Sequence, residues 1–247
     1  MRVEVAFTPA LLVDASSKVC IVVDVLRATS TLVTVFGRGL AEALVAETVD
    51  EARRLAAARP DYLLCGEQGG LPPAGFHYGN SPSEFDRLDL TKRRAILATT
   101  NGTPALARAA GCPLVLVGAM LNVQAVVEIA LREAASAGRD VVILCAGHNR
   151  ARSFSLEDAF CAGAMVEVML SREGARPEPR SDALAARRLY RSYRCSARAA
   201  FLEADHGAAL IGLGLGHDLD FCAQRDRFTV VPRLEHSERE TLRVVGR

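Results

Sequence analysis

VCIVVDVLRATSTL, residues 19–32, is the stretch whose reading decides the fold. Residues 19–23 are apolar without alternation, so they read as a strand buried on both faces, as in a parallel sheet. Asp24 falls where such a strand leaves the core, and Arg27 follows three residues later. Thr29, Ser30 and Thr31 then lead into a helical pattern expected over 31–38. In open α/β sheets ligands bind outside the carboxyl ends of strands, and a helix N-terminus favours an anion. A carboxylate suited to a metal and an arginine suited to an oxyanion, placed at one such edge, point to phosphate chemistry. Taken alone, Asp24 fits a turn cap equally well, and Arg27 fits a surface arginine.

The same pattern recurs along the chain. Strands are expected at 3–7, 43–46, 62–65, 94–98, 113–117 and 140–144, and helices at 51–58, 123–137 and 156–170. Thr48 with Glu51, Ser81 with Glu84, and Ser155 with Asp158 have the spacing of helix N-caps. This alternation predicts an α/β fold of three layers, α/β/α, with a mainly parallel or mixed sheet covered on both faces. Residues 66–82, GEQGGLPPAGFHYGNSP, form the longest irregular stretch, and a loop of that length in a compact domain is usually functional. Residues 1–170 carry most of the motifs. After Leu170 the composition changes: 171–182 reads as a charged connection, 182–204 as helix, and 228–231 as a last strand halted by Pro232. The final dozen residues, highly charged, are expected at the periphery, and 171–247 as a portion completing the fold.

The chain has 247 residues, half of them hydrophobic, and a net charge of +1, which gives no reason to invoke nucleic acid. Lys18 and Lys92 are the only lysines, so arginine, the better fork for carboxylate and phosphate, carries the positive charge. Seven cysteines, an odd number with no C-x-x-C pair, fit reduced thiols in a cytoplasmic protein. MRVEVAF alternates like a strand and is not expected to be a signal peptide. No apolar run is long enough to span a membrane.

Several phosphatase and nucleotide motifs are excluded. Asp24 is followed by Val25 and Leu26, not by the second aspartate of a D-x-D nucleophile. Ala151 stands where a cysteine-phosphatase loop starting at Cys145 needs arginine, and Asp205 precedes His206 where a histidine phosphatase has arginine. Neither lysine completes a Walker A loop, and His217 spoils a G-x-G-x-x-G built on Gly212. What remains is a set of polar strand ends: Asp24 and Arg27, Glu67, residues 99–103, and Glu157 with Asp158. In a parallel sheet these ends share one edge. Three converging carboxylates raise one another's pKa unless a cation neutralises them, and Mg²⁺ is the natural candidate. The structural alternatives stay open, with Asp158 as a helix cap, Glu67 as a solvated loop residue and TTNGT as a turn.

In order, DVLRATST (24–31), GE (66–67), GNSP (79–82), TTNGT (99–103), CAG (145–147), LEDAFCAG (156–163), HG (206–207) and VP (231–232) resemble the 2-phosphosulfolactate phosphatase family along nearly the whole chain. The resemblance implies a Mg²⁺-dependent phosphoric monoester hydrolase converting 2-phospho-3-sulfolactate to 3-sulfolactate, a step toward coenzyme M. It also implies two similar subdomains and a homodimer. The chain departs from the family pattern at Gln68, His77 and Ala119-Met120. On this reading Asp24, Glu67 and Asp158 hold or orient Mg²⁺. Arg27 and the amides of Thr100, Asn101, Gly102 and Thr103 bind the phosphoryl group, and Asn80 and Asn101 orient substrate or water. His148, Arg150 and Arg152 meet the sulfonate or carboxylate. Metal-activated water is the expected nucleophile, with Asp24 as the alternative. The rival functions are a phosphatase of another small phosphorylated hydroxy acid and a non-catalytic module binding an anionic metabolite.

Overall fold

The computed structural model describes residues 1–150, 152–174, 176–236 and 242–246. Among these, ten strands form one sheet with helices on both faces. The strands are β1 (Arg2–Ala6), β2 (Lys18–Val23), β3 (Glu42–Ala46), β4 (Leu63–Gly66), β5 (Arg94–Ala98), β6 (Leu114–Gly118), β7 (Asp140–Cys145), β8 (Glu178–Pro179), β9 (Arg233–His236) and β10 (Leu242–Val245). The helices are α1 (Ala28–Gly37), α2 (Val49–Ala57), α3 (Pro82–Phe85), α4 (Gly102–Ala109), α5 (Val123–Ala137), α6 (Leu156–Ser171), α7 (Ser181–Ser192), α8 (Ala197–Glu203), α9 (Asp205–Gly212) and α10 (His217–Cys222).

The strand order is β4-β5-β3-β10-β9-β6-β2-β7-β1-β8. Two parallel runs, β4-β5-β3 and β6-β2-β7-β1-β8, are joined by the antiparallel pair β9 and β10. Every residue of β2 is buried. Alternation along it divides the core: Val19, Ile21 and Val23 pack with Phe160 and Met165 of α6, while Cys20 and Val22 pack with Leu32 and Phe36 of α1 and Leu106 of α4. A smaller cluster, built on Leu44, Leu64 and Ile96, lies under Ala52 of α2.

The expected caps form. Thr48, Ser81 and Ser155 accept from the N–H groups of Glu51, Glu84 and Asp158 at 3.1, 3.3 and 3.3 Å. Three readings of the sequence need correction. Helix α1 begins at Ala28, not at residue 31, because the Asp24 carboxylate accepts from the Ala28 N–H at 3.2 Å and closes the turn early. The helix expected over 182–204 is two helices, α7 and α8. Arg194 and Cys195 between them adopt positive φ, and Ser196 caps α8 by accepting from the Ala199 N–H.

The third correction concerns the C-terminus. Residues 228–231 are not a strand; Pro232, which has no N–H for a ladder, comes just before β9, and its carbonyl accepts from Val117 N–H at 2.9 Å. The last dozen residues are not peripheral where they are described: β10 pairs with β3 on one side and β9 on the other, and Val244 is fully buried. Residues 237–241 and 247 lie outside the described residues. Hydropathy hides this placement because Arg243 in β10 ion-pairs with Glu42 and Glu235 on neighbouring strands. Ending the chain at Pro232 would leave the facing edges of β3 and β6 unpaired in the middle of the sheet. Such a truncated protein is expected to lose the cooperative thermal transition of the full chain, as followed by circular dichroism.

Candidate active site

The carboxyl ends of β2, β4, β5 and β7 deliver Asp24, Glu67, residues 99–103 and residues 146–148 to one edge, and a cavity of about 250 Å³ opens there. Asp24, Arg27, Glu67, Asn80, Thr100, Asn101 and His148 line it, as do Asn149 and His206. Leu26, Ala209 and Leu213 supply an apolar wall. Gly102 allows the two halves of this edge to meet: a Cβ there would lie 2.4 Å from the Ala28 Cβ and 2.7 Å from Asp24 Oδ2.

Arg27 is buried, and two acceptors fix its guanidinium. One terminal nitrogen donates to Asp218 Oδ2 and the other to the Gly70 carbonyl, both at 2.8 Å. Its Nε is buried without a protein partner, and so is Asn80 Oδ1. Unsatisfied buried polar atoms are costly, and both belong to side chains of the cavity lining, which marks that wall as the candidate anion-binding face.

Glu67 is a strut of that lining. Its Oε1 accepts from Thr100 N–H at 2.6 Å, and its Oε2 accepts from Gly70 N–H at 2.8 Å and from the Thr100 hydroxyl at 3.2 Å. The Thr103 N–H donates to Thr99 Oγ1 at 3.0 Å, a bond returned from the Thr99 N–H to Thr103 Oγ1. Thr100 and Thr103 therefore spend their amides within the protein, and Asn101 is the residue of that turn, beside Thr100, that the cavity also reaches. Thr103 lies in the first turn of α4, its N–H taken by Thr99, and neither it nor Gly102 lines the cavity.

Asp158 stands behind the cavity wall. Its Oδ1 accepts from Val25 N–H at 2.9 Å and its Oδ2 from Gly147 N–H at 3.2 Å, tying the exits of β2 and β7 together. Burial, with the charges of Asp24 and Glu157 adding to it, holds its carboxyl well above the usual range. Glu157 is raised too, chiefly by burial. It faces an adjoining cavity of about 390 Å³ with Glu203 and Asp205, beyond a partition made by His148, Asn149 and His206. Asp24 is pushed up to about 7 by burial and by the charges of Glu67 and Glu157, against the pull of the Ala28 N–H and of Arg27.

Arg150 and Arg152 are exposed and line neither cavity. The turn from His148 closes on itself, with His148 N–H donating to the Ser153 carbonyl at 2.9 Å, and carries both side chains outward. Only the Arg150 backbone reaches the site, its N–H donating to Asn101 Oδ1 at 2.8 Å. Sequence reasoning missed Asp218, Asn149 and the place of His206. The His206 ring lies 5.4 Å from that of His148, and burial, with the charges of His148 and Arg27, pushes its pKa down to about 4, so it is neutral at pH 7. The one signal for His206 was its glycine neighbour: a Cβ at Gly207 would lie 1.8 Å from the Phe201 carbonyl, so α9 packs against α8 only with glycine there.

Among the described residues no three or more His, Cys, Asp or Glu side chains are grouped as a metal cage. Glu67 and Asp158, two of the three expected ligands, have both oxygens bonded to backbone N–H groups. Mg²⁺ is usually held by one or two carboxylates, waters and substrate oxygens, and that smaller demand does fit. Asp24 spends Oδ1 on Ala28 N–H, its Oδ2 takes no backbone hydrogen bond, and its raised pKa is that of a buried carboxylate short of a cation.

A family model described as 2-phosphosulpholactate phosphatase matches residues 6–237. A probable 2-phosphosulfolactate phosphatase of Symbiobacterium thermophilum is 39% identical over 223 residues, covering 89% of this chain and 92% of the relative. Proteins of the same description from Thermotoga maritima and Deinococcus radiodurans are 33% and 38% identical, covering 94% and 87% of this chain and 95% and 87% of their own lengths. The chain belongs to the 2-phosphosulpholactate phosphatase family, whose named activity is that of a phosphoric monoester hydrolase.

The carboxylate cluster sets a pH dependence. A carboxyl whose pKa is higher folded than unfolded binds more protons in the folded state between the two values, so its contribution is complete at low pH and drains away as pH rises. For Asp24 the window runs from about 4 to about 7, and Glu157 and Asp158 act in the same direction. In EDTA, unfolding free energy from urea titrations is expected to fall from pH 4.5 to 7.5. Asp24→Asn should remove up to about 3 kcal/mol of that fall.

Proposed function

We propose that this member of the 2-phosphosulpholactate phosphatase family hydrolyses 2-phospho-3-sulfolactate to 3-sulfolactate and phosphate, with Mg²⁺ as cofactor. The observation that carries the reading is the convergence of the tethered Arg27 side chain, Asn80 and the Asp24 carboxylate on one cavity. A phosphoryl group attacked by water needs a fixed donor for its equatorial oxygens and an acceptor for a water proton, and these side chains supply both. The Arg27 guanidinium and the Asn101 amide bind the phosphoryl oxygens, where charge must be stabilised through the transition state. Asn80 Oδ1 orients the attacking water.

Asp24 would hold Mg²⁺, which when bound supplies Lewis-acid neutralisation of the phosphoryl charge. The cavity needs such a cation, because Asp218 already offsets Arg27 while Asp24 and Glu67 add negative charge beside a polyanionic substrate. His206, neutral at pH 7, and the neighbouring His148 contact the organic part of the substrate through ring nitrogens. The leaving oxygen is the C2 hydroxyl oxygen of the sulfolactate product.

A cytoplasmic location is supported by the cysteines, all free and all but Cys195 buried, and no helix among the described residues is long and apolar enough to cross a membrane. A homodimer agrees with the exposed apolar side chains Leu202 of α8 and Ile211 of α9. The net charge of +1 supports a small-molecule partner over nucleic acid. A role toward coenzyme M follows from the substrate and stands with it.

Phosphate release from 2-phospho-3-sulfolactate is expected with Mg²⁺ and is expected to stop in EDTA. Asp24→Asn and Arg27→Lys should each lower kcat/KM by about 10²–10³-fold. Release from other phosphorylated hydroxy acids but not from phosphosulfolactate would move the substrate assignment to that class. No release from any of them, with phosphate still bound, would leave an anion-binding module.

A further inference from the structure

Asp218 lies in α10, 191 residues from Arg27, and is fully buried. Its Oδ2 takes the Arg27 guanidinium at 2.8 Å, while its Oδ1 accepts from the hydroxyls of Ser81 and Ser83 at 2.8 and 2.6 Å. The carboxylate therefore cannot swing, and the Gly70 carbonyl holds the other end of the guanidinium fork. With both terminal nitrogens tethered, rotation of the guanidinium is blocked, and Nε is the nitrogen left without a partner. An arginine of this length, free of those tethers, has several rotamers to lose on binding an anion.

We infer that Asp218 is a positioning residue for phosphate binding, holding the Arg27 guanidinium in one orientation at the cavity wall so that the second N–H of a tethered terminal nitrogen meets a phosphoryl oxygen, with Ser81 and Ser83 locking Asp218 in turn. The inference rests on the phosphate-binding role given to Arg27 above. It places a residue of the C-terminal portion behind the phosphate site, acting through Arg27 without touching substrate. Its sign is opposite to that of simple electrostatics. Removing a buried negative charge beside an anion site should tighten anion binding by Coulomb attraction alone, whereas loss of orientation weakens it.

The test is calorimetric titration of the full chain with inorganic phosphate, comparing wild type with Asp218→Asn. Stoichiometry reports the fraction of protein that is folded and competent, and Kd reports the site within that fraction. Positioning predicts a Kd raised about tenfold to a hundredfold at unchanged stoichiometry. Unchanged or tighter Kd, or a loss confined to stoichiometry, overturns the inference and leaves Asp218 a structural residue. Should Asp218→Asn fail to fold, Ser83→Ala removes one of the two hydroxyls on Oδ1 and is expected to raise Kd a few-fold; no change in it overturns the inference equally. If the wild type itself binds no phosphate, the site assigned to Arg27 falls and the inference falls with it, whereas wild-type binding with an indifferent Asp218 overturns the inference alone.

Discussion

The constraint on which the rest depends is that β2 has no exposed residue. Its neighbours β6 and β7 occupy both edges, and α1 and α4 on one face and α6 on the other cover what remains. A strand enclosed in this way cannot carry a polar side chain along its buried apolar run, so ionisable groups come where the run ends, at Asp24. Burial of the apolar run from Val19 to Val23 and placement of a carboxylate at its carboxyl end are one physical fact. The same holds for β4 with Glu67 and for β7 with the turn that starts at Ala146.

Carboxylates gathered at such an edge are expensive. This protein offsets the cost unevenly. Glu67 and Asp158 turn their oxygens to backbone N–H groups and become struts: Glu67 ties the loop after β4 to the turn after β5, and Asp158 ties the exits of β2 and β7. Asp24 receives one such bond and keeps an oxygen for the cavity, and both it and Asp158 are held above the usual carboxylate range. Two carboxylates spent on geometry leave one for chemistry. That division is consistent with a metal held by few protein ligands and completed by substrate and water.

The positive side of the site is equally economical. Arg27 is a buried guanidinium balanced by a buried aspartate, an arrangement whose desolvation penalty makes it a poor device for stability. Its value lies in specificity of placement, since Asp218 is itself held by two serine hydroxyls at the start of α3. The C-terminal helices thereby reach the residues that line the cavity, and β9 and β10 join the two parallel runs that carry those residues. The last third of the chain thus supports the site from behind and from below.

Local pattern alone determined the alternation of strands and helices, the helix caps at Thr48, Ser81 and Ser155, and the strand-end positions of Asp24 and Glu67. Each of these depends on periodicity, or on residues within about one helical turn of one another. The ordered motifs pointed to the family as well. Only the tertiary structure decided that β10, with its paired arginine, runs through the middle of the sheet, that Asp158 supports the wall and Asp24 faces the cavity, and that Arg150 and Arg152 point away. It alone brought Asp218 to Arg27 and His206 to His148. The physical reason is the same in each case: what a charged side chain does is set by the group that meets it. Those groups come from strands and helices as many as 191 residues away, brought together only when the parallel sheet aligns its carboxyl ends.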